Sequence, residues 1–179
     1  MKKTVTISTI LVILLAVGGY AWLGGFRSEQ IHEITHDRRV VYGTPYQGKY
    51  GDLKLREIVV KTQQLLEENP SAGHLVVVNY DSSATSENIN QLIGIIAPDS
   101  SSEILQGLSP DTLLSGNYIR VRMYGHPVVR PTPTQVAQQA REYAQQRQLR
   151  LGEEVIEHYF SGDSMWIEHP IENPSMGRQ

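Results

Sequence analysis

The sequence predicts an α+β fold of two pseudo-repeated β-α-β-β halves, with an antiparallel sheet, both helices on one face and one apolar helix in front. Three observations carry this. Residues 40–97 and 115–171 have the same order: a Gly-punctuated strand, an amphipathic helix, a Gly, and two strands that make a hairpin. Gly73 and Tyr80 recur as Gly152 and Tyr159, and an offset of roughly eighty residues marks a duplicated small domain rather than a solenoid unit. A long apolar run precedes the first half. Two such halves enclose a cleft between them.

At 179 residues the chain has one domain's worth of sequence and enough apolar content for a core. The formal charge of -3 gives no basic footprint, and no Lys/Arg stripe is interleaved with aromatics, so nucleic acid is not an expected partner. The absence of cysteine excludes disulfides and thiolate metal sites.

Lys2 and Lys3 precede Val5 to Phe26, an almost uncharged run containing ILVILLAV. At about twenty residues it is long enough to span a bilayer as a helix, and its basic flank belongs on the cytoplasmic side. A cleaved signal peptide is the alternative. It calls for a shorter apolar core and a small-x-small site, whereas this run continues through Gly18, Gly19, Tyr20, Trp22 and Leu23 without a clear Ala-x-Ala. The expectation is a single-pass membrane protein. Residues 1–26 form the anchor, with Tyr20 and Trp22 at the outer interface, and 27–39 a polar juxtamembrane stalk. Residues 40–171 form a folded domain on the extracytoplasmic side, and 172–179 a short tail.

In the first half, Leu55, Ile58, Val59, Thr62, Leu65 and Leu66 recur at helical spacing within Leu53–Glu68, which predicts an amphipathic cover for a sheet. His74–Tyr80 and Gln91–Ile96 read as strands. Pro98–Gly116, rich in Ser, Pro and Asp, reads as the linker, with one helical turn near Ser102–Leu105. In the second half, Thr132, Pro133 and Gln135 make a capping box with Pro at the first helical position. The helix from about Thr134 to Gln148 then places Val136, Ala140, Tyr143 and Ala144 on one face. Val155–Phe160 and Met165–Ile171 are its strands.

The last hairpin carries the most chemistry. A Gly162-Asp163 turn or a loop over Ser161–Ser164 gives the same pairing, with Tyr159 opposite Trp166 and Glu157 opposite Glu168. Directly paired residues share a face. One face then presents Glu157, Tyr159, Trp166 and Glu168. The other presents Ile156, His158, Phe160, Met165 and Ile167, which should lie under the helices. Facing carboxylates repel, and partial burial raises at least one pKa unless a cation compensates. Acids beside aromatic faces suit a desolvated organic cation, with cation-π attraction on the order of 0.5 to 2 kcal/mol. The bland alternative is an exposed hairpin with solvated acids. The equivalent face of the first half, with Val76, Val78 and Tyr80, is apolar and aromatic and favours the cleft.

These residues carry a resemblance. Gly48-Lys49-Tyr50, a helix, VVVNYD at Val76–Asp81, LIGII at Leu92–Ile96, SGNYIRVRMYGHP at Ser115–Pro127, a second helix, EHY at Glu157–Tyr159 and WIEHPI at Trp166–Ile171 follow one another in an order and spacing similar to the GyrI-like effector-binding domain, the duplicated SHS2 domain of AraC-type regulators. The likeness covers residues 40–171. It implies a small-molecule pocket between the halves, Glu157 as the ligand-contacting acid, and Tyr46, Tyr50, Tyr80, Tyr118 and Trp166 as wall residues. The family's commonest members are transcription regulators with a helix-turn-helix domain, which this chain has no room for. An anchor followed directly by the domain resembles the arrangement of a testis-expressed ER-phagy receptor, without that receptor's long disordered extension, so neither a regulatory nor an autophagy role is implied. His126-Pro127 departs from the aromatic usual at that position.

The six histidines include no pair at helical i, i+4 spacing in a recognisable metal motif. Gly48 and Gly125 read as a bulge or turn, and Arg120 and Arg122 as solvated. No cofactor is implied. The sequence therefore predicts a membrane-anchored binding module for an apolar or cationic small molecule. A hydrolase in which Glu157 or Glu168 activates water and a scaffold for a partner protein's segment are the alternatives.

Overall fold

The computed structural model describes residues 2–25, 29–80, 88–97, 105, 107–160 and 164–172. The elements are α1 (Lys2–Trp22), β1 (Gln30–His36), β2 (Arg39–Lys49), α2 (Leu53–Glu68), β3 (His74–Asn79), β4 (Asn88–Ile96), β5 (Ser109–Leu113), β6 (Gly116–Tyr124), α3 (Pro133–Gln146), β7 (Val155–Tyr159) and β8 (Ser164–Pro170). Asp52 caps α2, accepting from Lys54 N at 3.3 Å. The capping box at Thr132 and Gln135 forms as expected. Two strands lie where none was expected: β1 in the stretch read as a stalk, and β5 in the linker. The expected turn at Ser102–Leu105 lies, apart from Leu105, outside the described residues.

All eight strands form one antiparallel sheet in the order β1-β6-β8-β7-β3-β4-β2-β5. The halves are related by a pseudo-twofold through its centre, where β7 meets β3. The repeat unit is β-β-α-β-β, and each unit's first strand pairs with the other unit: β1 with β6, and β5 with β2. This exchange forces curvature. β1 and β2 stand six places apart in the sheet, about 29 Å if it were flat, yet only Asp37 and Arg38 join them, and the step from His36 to Arg39 reaches at most about 11 Å. Leu114 and Ser115 impose the same condition on β5 and β6. The sheet must curl, and Arg38 Nη2 donates to Thr112 Oγ1 at 3.2 Å across the gap between its edges. Gly43 and Gly94 face each other on β2 and β4. A Cβ on Gly94 would lie 2.4 Å from the Tyr42 carbonyl oxygen, so these strands approach only because neither residue carries a side chain there.

The outer face of the curl carries both helices. Ile58 of α2 packs with Tyr46, Leu75 and Ile93, and Val136, Ala140 and Ala144 of α3 pack with Ile119, Val121, Met123 and Ile167. The inner face gathers Val41, Val76, Val78, Leu92, Leu113, Tyr118 and Ile156 from strands of both halves.

The last hairpin pairs differently from expectation. Glu157 faces Ile167 and Tyr159 faces Met165, while Ile156 faces Glu168 and His158 faces Trp166. Phe160 N donates to Ser164 O at 3.3 Å, leaving residues 161–163 as the connection. A connection of odd length shifts the register by one, which moves every side chain of one strand to the other face. Glu157 and Tyr159 therefore lie on the helix face with Met165 and Ile167, and Trp166 and Glu168 on the inner face with Ile156 and His158.

Helix α1 is 21 residues long, and Leu23, just beyond it, accepts from His126 N at 2.9 Å. Among the described residues no helix is long and apolar enough to cross a membrane.

Candidate functional site

Glu157 occupies the seam between the halves. Its ladder partners are Val77, which packs into the α2 cluster, and Ile167, which packs into the α3 cluster. Alternation along β7 and β3 brings Tyr159 and Asn79 to the same face. Tyr159 Oη donates to Glu157 Oε2 at 2.5 Å, and Asn79 Nδ2 to Glu157 Oε1 at 3.1 Å. Asn79 is itself oriented by accepting from Gln91 Nε2. Among the described residues Glu157 forms no ion pair. Burial pushes its carboxyl above the usual carboxylate range, against the opposing effect of the Tyr159 and Asn79 donors. Burial and the adjacent carboxylate likewise hold the Tyr159 phenol in its protonated form. The result is an acid held by two neutral donors and lacking a counter-cation.

Of the expected wall residues, Tyr46 is buried on the same face, but its hydroxyl is occupied by the Lys49 carbonyl oxygen at 2.9 Å and Asp52 Oδ2 at 3.3 Å, a tie at the start of α2. Tyr50 is exposed in the turn before that helix. Tyr80 and Tyr118 pack on the inner face. Tyr80 donates to Asp111, and Tyr118 to the Leu114 carbonyl oxygen at 2.7 Å.

The inner face also holds Glu168, whose side chain is 0% exposed. Arg120 Nε and Nη2 donate to its Oε1 at 2.8 and 2.6 Å, and Arg39 Nη2 to Oε2 at 2.9 Å. His36 Nε2 is 3.1 Å from Oε1. His158 Nε2 lies 3.2 Å from Oε2, close enough for attraction though outside hydrogen-bond geometry. Burial alone would raise the Glu168 pKa; the approach of His158 and the two guanidiniums outweigh it and hold the carboxyl well below its ordinary range. Arg120, expected to be solvated, is thus one of two guanidiniums that hold the buried Glu168, because the shifted register turns Glu168 toward it. Trp166 lies beside this cluster, with Arg120 4.1 Å and Arg122 4.8 Å from its ring centroid. Burial first, then the charges of His158 and Arg39, lowers His74 to about 4.

Of the eight residues expected to share one pocket, seven are therefore divided between two faces, and Tyr50 lies in an exposed turn. Asn79, Arg39, His36 and His158 were not anticipated. Asn79 had a local signal, since it stands two residues from Val77 on a strand equivalent to β7, whereas Arg39 and His36 come from stretches read as stalk. A cavity of about 580 Å³ lies against α3, bordered by Tyr20, Met123, Arg130 and Gln139, and does not include Glu157. Among the described residues no group of three His, Asp or Glu side chains is arranged to hold a metal ion.

No protein-family model matches the sequence, and no protein of curated function matches it. Solved structures do. SAV2435 bound to tetraphenylphosphonium superposes with a TM-score of 0.52 at 15% identity, over 80% of this chain and 94% of that one. The C-terminal domain of EcmrR gives 0.57 at 12%, over 82% and 99%. A hydrolase from Listeria innocua gives 0.59 at 8%, over 80% and 92%. The chain shares their fold. At such low identity the shared property is the fold alone, and it is the α+β architecture that the GyrI-like resemblance implies.

Proposed function

We propose that this chain binds a small organic cation with an apolar body, at the seam of the helix face, with Glu157 as the charge-reading group and Tyr159 positioning it. The observation that carries this is a desolvated carboxylate with two neutral donors and no cationic partner among the described residues. A ligand that brings a positive charge and apolar surface supplies what that carboxylate lacks, and leaves the Tyr159 and Asn79 hydrogen bonds intact. The SAV2435 structure, holding a lipophilic cation on the same fold, supports the ligand class. Titration calorimetry with tetraphenylphosphonium tests it. Glu157→Gln is expected to weaken this cation about tenfold or more, and to leave a neutral ligand of similar shape little changed. Equal losses for both would reject the charge-reading role.

A hydrolase is the second reading, favoured by the raised pKa of Glu157, which suits a general base. Turnover of aryl esters that disappears in Glu157→Gln would place it ahead.

The membrane anchor is part of the proposal and rests on the sequence run Val5–Phe26 with Lys2 and Lys3 before it. Protease added to intact spheroplasts is expected to digest the chain beyond Phe26. Protection of that region would reverse the topology, and recovery of a shortened mature chain would make the segment a signal peptide.

A further inference from the structure

At one end of the inner face, Arg122 is a cation with no carboxylate to balance it among the described residues. The row Gln30, Arg122, Trp166, His158 runs directly across β1, β6, β8 and β7, and the next row holds Arg120 and Glu168. Three guanidiniums, those of Arg39, Arg120 and Arg122, lie on this face, and two of them meet Glu168. Glu168 is saturated by the first two. Among the described residues Arg122 forms no ion pair, and its buried Nε–H has no acceptor; the buried Nε–H of Arg39 lacks one as well. Among the described residues, Asp111 and Glu154 act on Tyr80 at the far end of β3. A partly desolvated cation with an unanswered donor is costly unless an anion completes it.

The surroundings define that anion further. Arg122 lies 4.8 Å from the Trp166 ring centroid, Phe160 is 4.2 Å from Trp166 ring to ring, and Phe160 stacks on His74 at 4.5 Å. None of Arg122, Trp166, Phe160 and His74 is fully buried, so this aromatic shelf is open to a ligand. His32, beside it, is held below its ordinary pKa by burial and by the charges of Arg120 and Arg122, so it adds a neutral donor or acceptor. We propose that this end of the inner face is a second binding site, for a flat aromatic carboxylate whose anionic group seats on Arg122 and whose ring lies on Trp166 and Phe160. It stands on the opposite side of the sheet from Glu157, takes the opposite charge, and does not depend on the cation site.

The test is titration calorimetry of the full chain with 2-naphthoate, 2-naphthalenemethanol and inorganic phosphate. Naphthoate is expected to bind, with the neutral alcohol and phosphate each about tenfold or more weaker. Arg122→Gln should weaken naphthoate about tenfold or more, while Glu157→Gln leaves it unchanged. Arg122→Lys keeps the charge but not the planar fork, and is expected to fall between. It serves as the folded comparison should the glutamine variant not fold. Because Arg122 forms no ion pair among the described residues and meets only the Trp166 and Tyr124 rings, Arg122→Gln should melt close to the wild type; a clear loss of stability would mark Arg122 as structural. Wild-type affinity in both Arg122 variants, or equal binding of the alcohol, would overturn the site. Phosphate as tight as naphthoate would overturn the aromatic ligand and leave only a patch that attracts anions.

Discussion

Glu157 and Glu168 stand one strand apart and titrate in opposite directions, because one faces neutral donors and the other faces guanidiniums. The consequences for stability have opposite sign. The folded chain holds Glu157's proton more tightly than the unfolded chain does, so its effect costs stability as pH rises from the ordinary carboxylate range through the raised folded pKa. The same window governs the cation site: affinity for tetraphenylphosphonium should fall as pH drops through it, measured by calorimetry across a pH series. Glu168 is depressed, so its contribution is present above the unfolded pKa and is lost as pH falls through the ordinary range toward the folded value. Glu168→Gln leaves the partly buried Arg39 and Arg120 without a counter-charge and is expected to cost about 3 to 5 kcal/mol in urea unfolding at pH 7. A loss under about 1 kcal/mol, the scale of an exposed pair, would show that the cluster is solvated. Both acids were legible in the sequence as unusual strand residues. Their separation was not, since it turns on a single-residue shift in the register of one hairpin, and the partners of Glu168 come from β2 and β6, far away in the chain.

At the scale of elements, helix positions were legible because each carries its own evidence. α2 has an apolar face at helical spacing, and α3 has Thr132, Pro133 and Gln135 at its start. β1 and β5 have no such evidence. Gln30–His36 alternates polar, charged and apolar residues, and Ser109–Leu113 contains Pro110 and Asp111, which is the composition of edge strands that must not invite further pairing. Read alone, such stretches are indistinguishable from linkers. Their function is to close the curl. Replacing residues 30–36 by a Gly/Ser segment of equal length should expose the outer edge of β6, and light scattering is expected to show association of the variant. A variant that stays monomeric and as stable as the wild type would show that β1 is dispensable.

On the scale of the whole molecule, the exchanged strands make each half incomplete without the other. Trp166 reports on the second half once Trp22 is replaced, because these are the chain's two tryptophans. In Trp22→Phe, urea unfolding followed by tryptophan emission and by far-UV circular dichroism should therefore trace the same transition. An earlier emission change would mean that the second half melts by itself. Each half was visible in the sequence as a repeat, but their mutual dependence was not, because periodicity records what is similar and not which strands pair. The exchange also orders events in time. While the chain is being synthesised, β1 emerges long before its ladder partner Gly116–Tyr124, and β2 waits with one edge unpaired until β5 follows. The nascent first half thus leaves the ribosome with an unclaimed strand and an open edge, and its pairing is expected to wait for the second half, when loops of high sequence separation close.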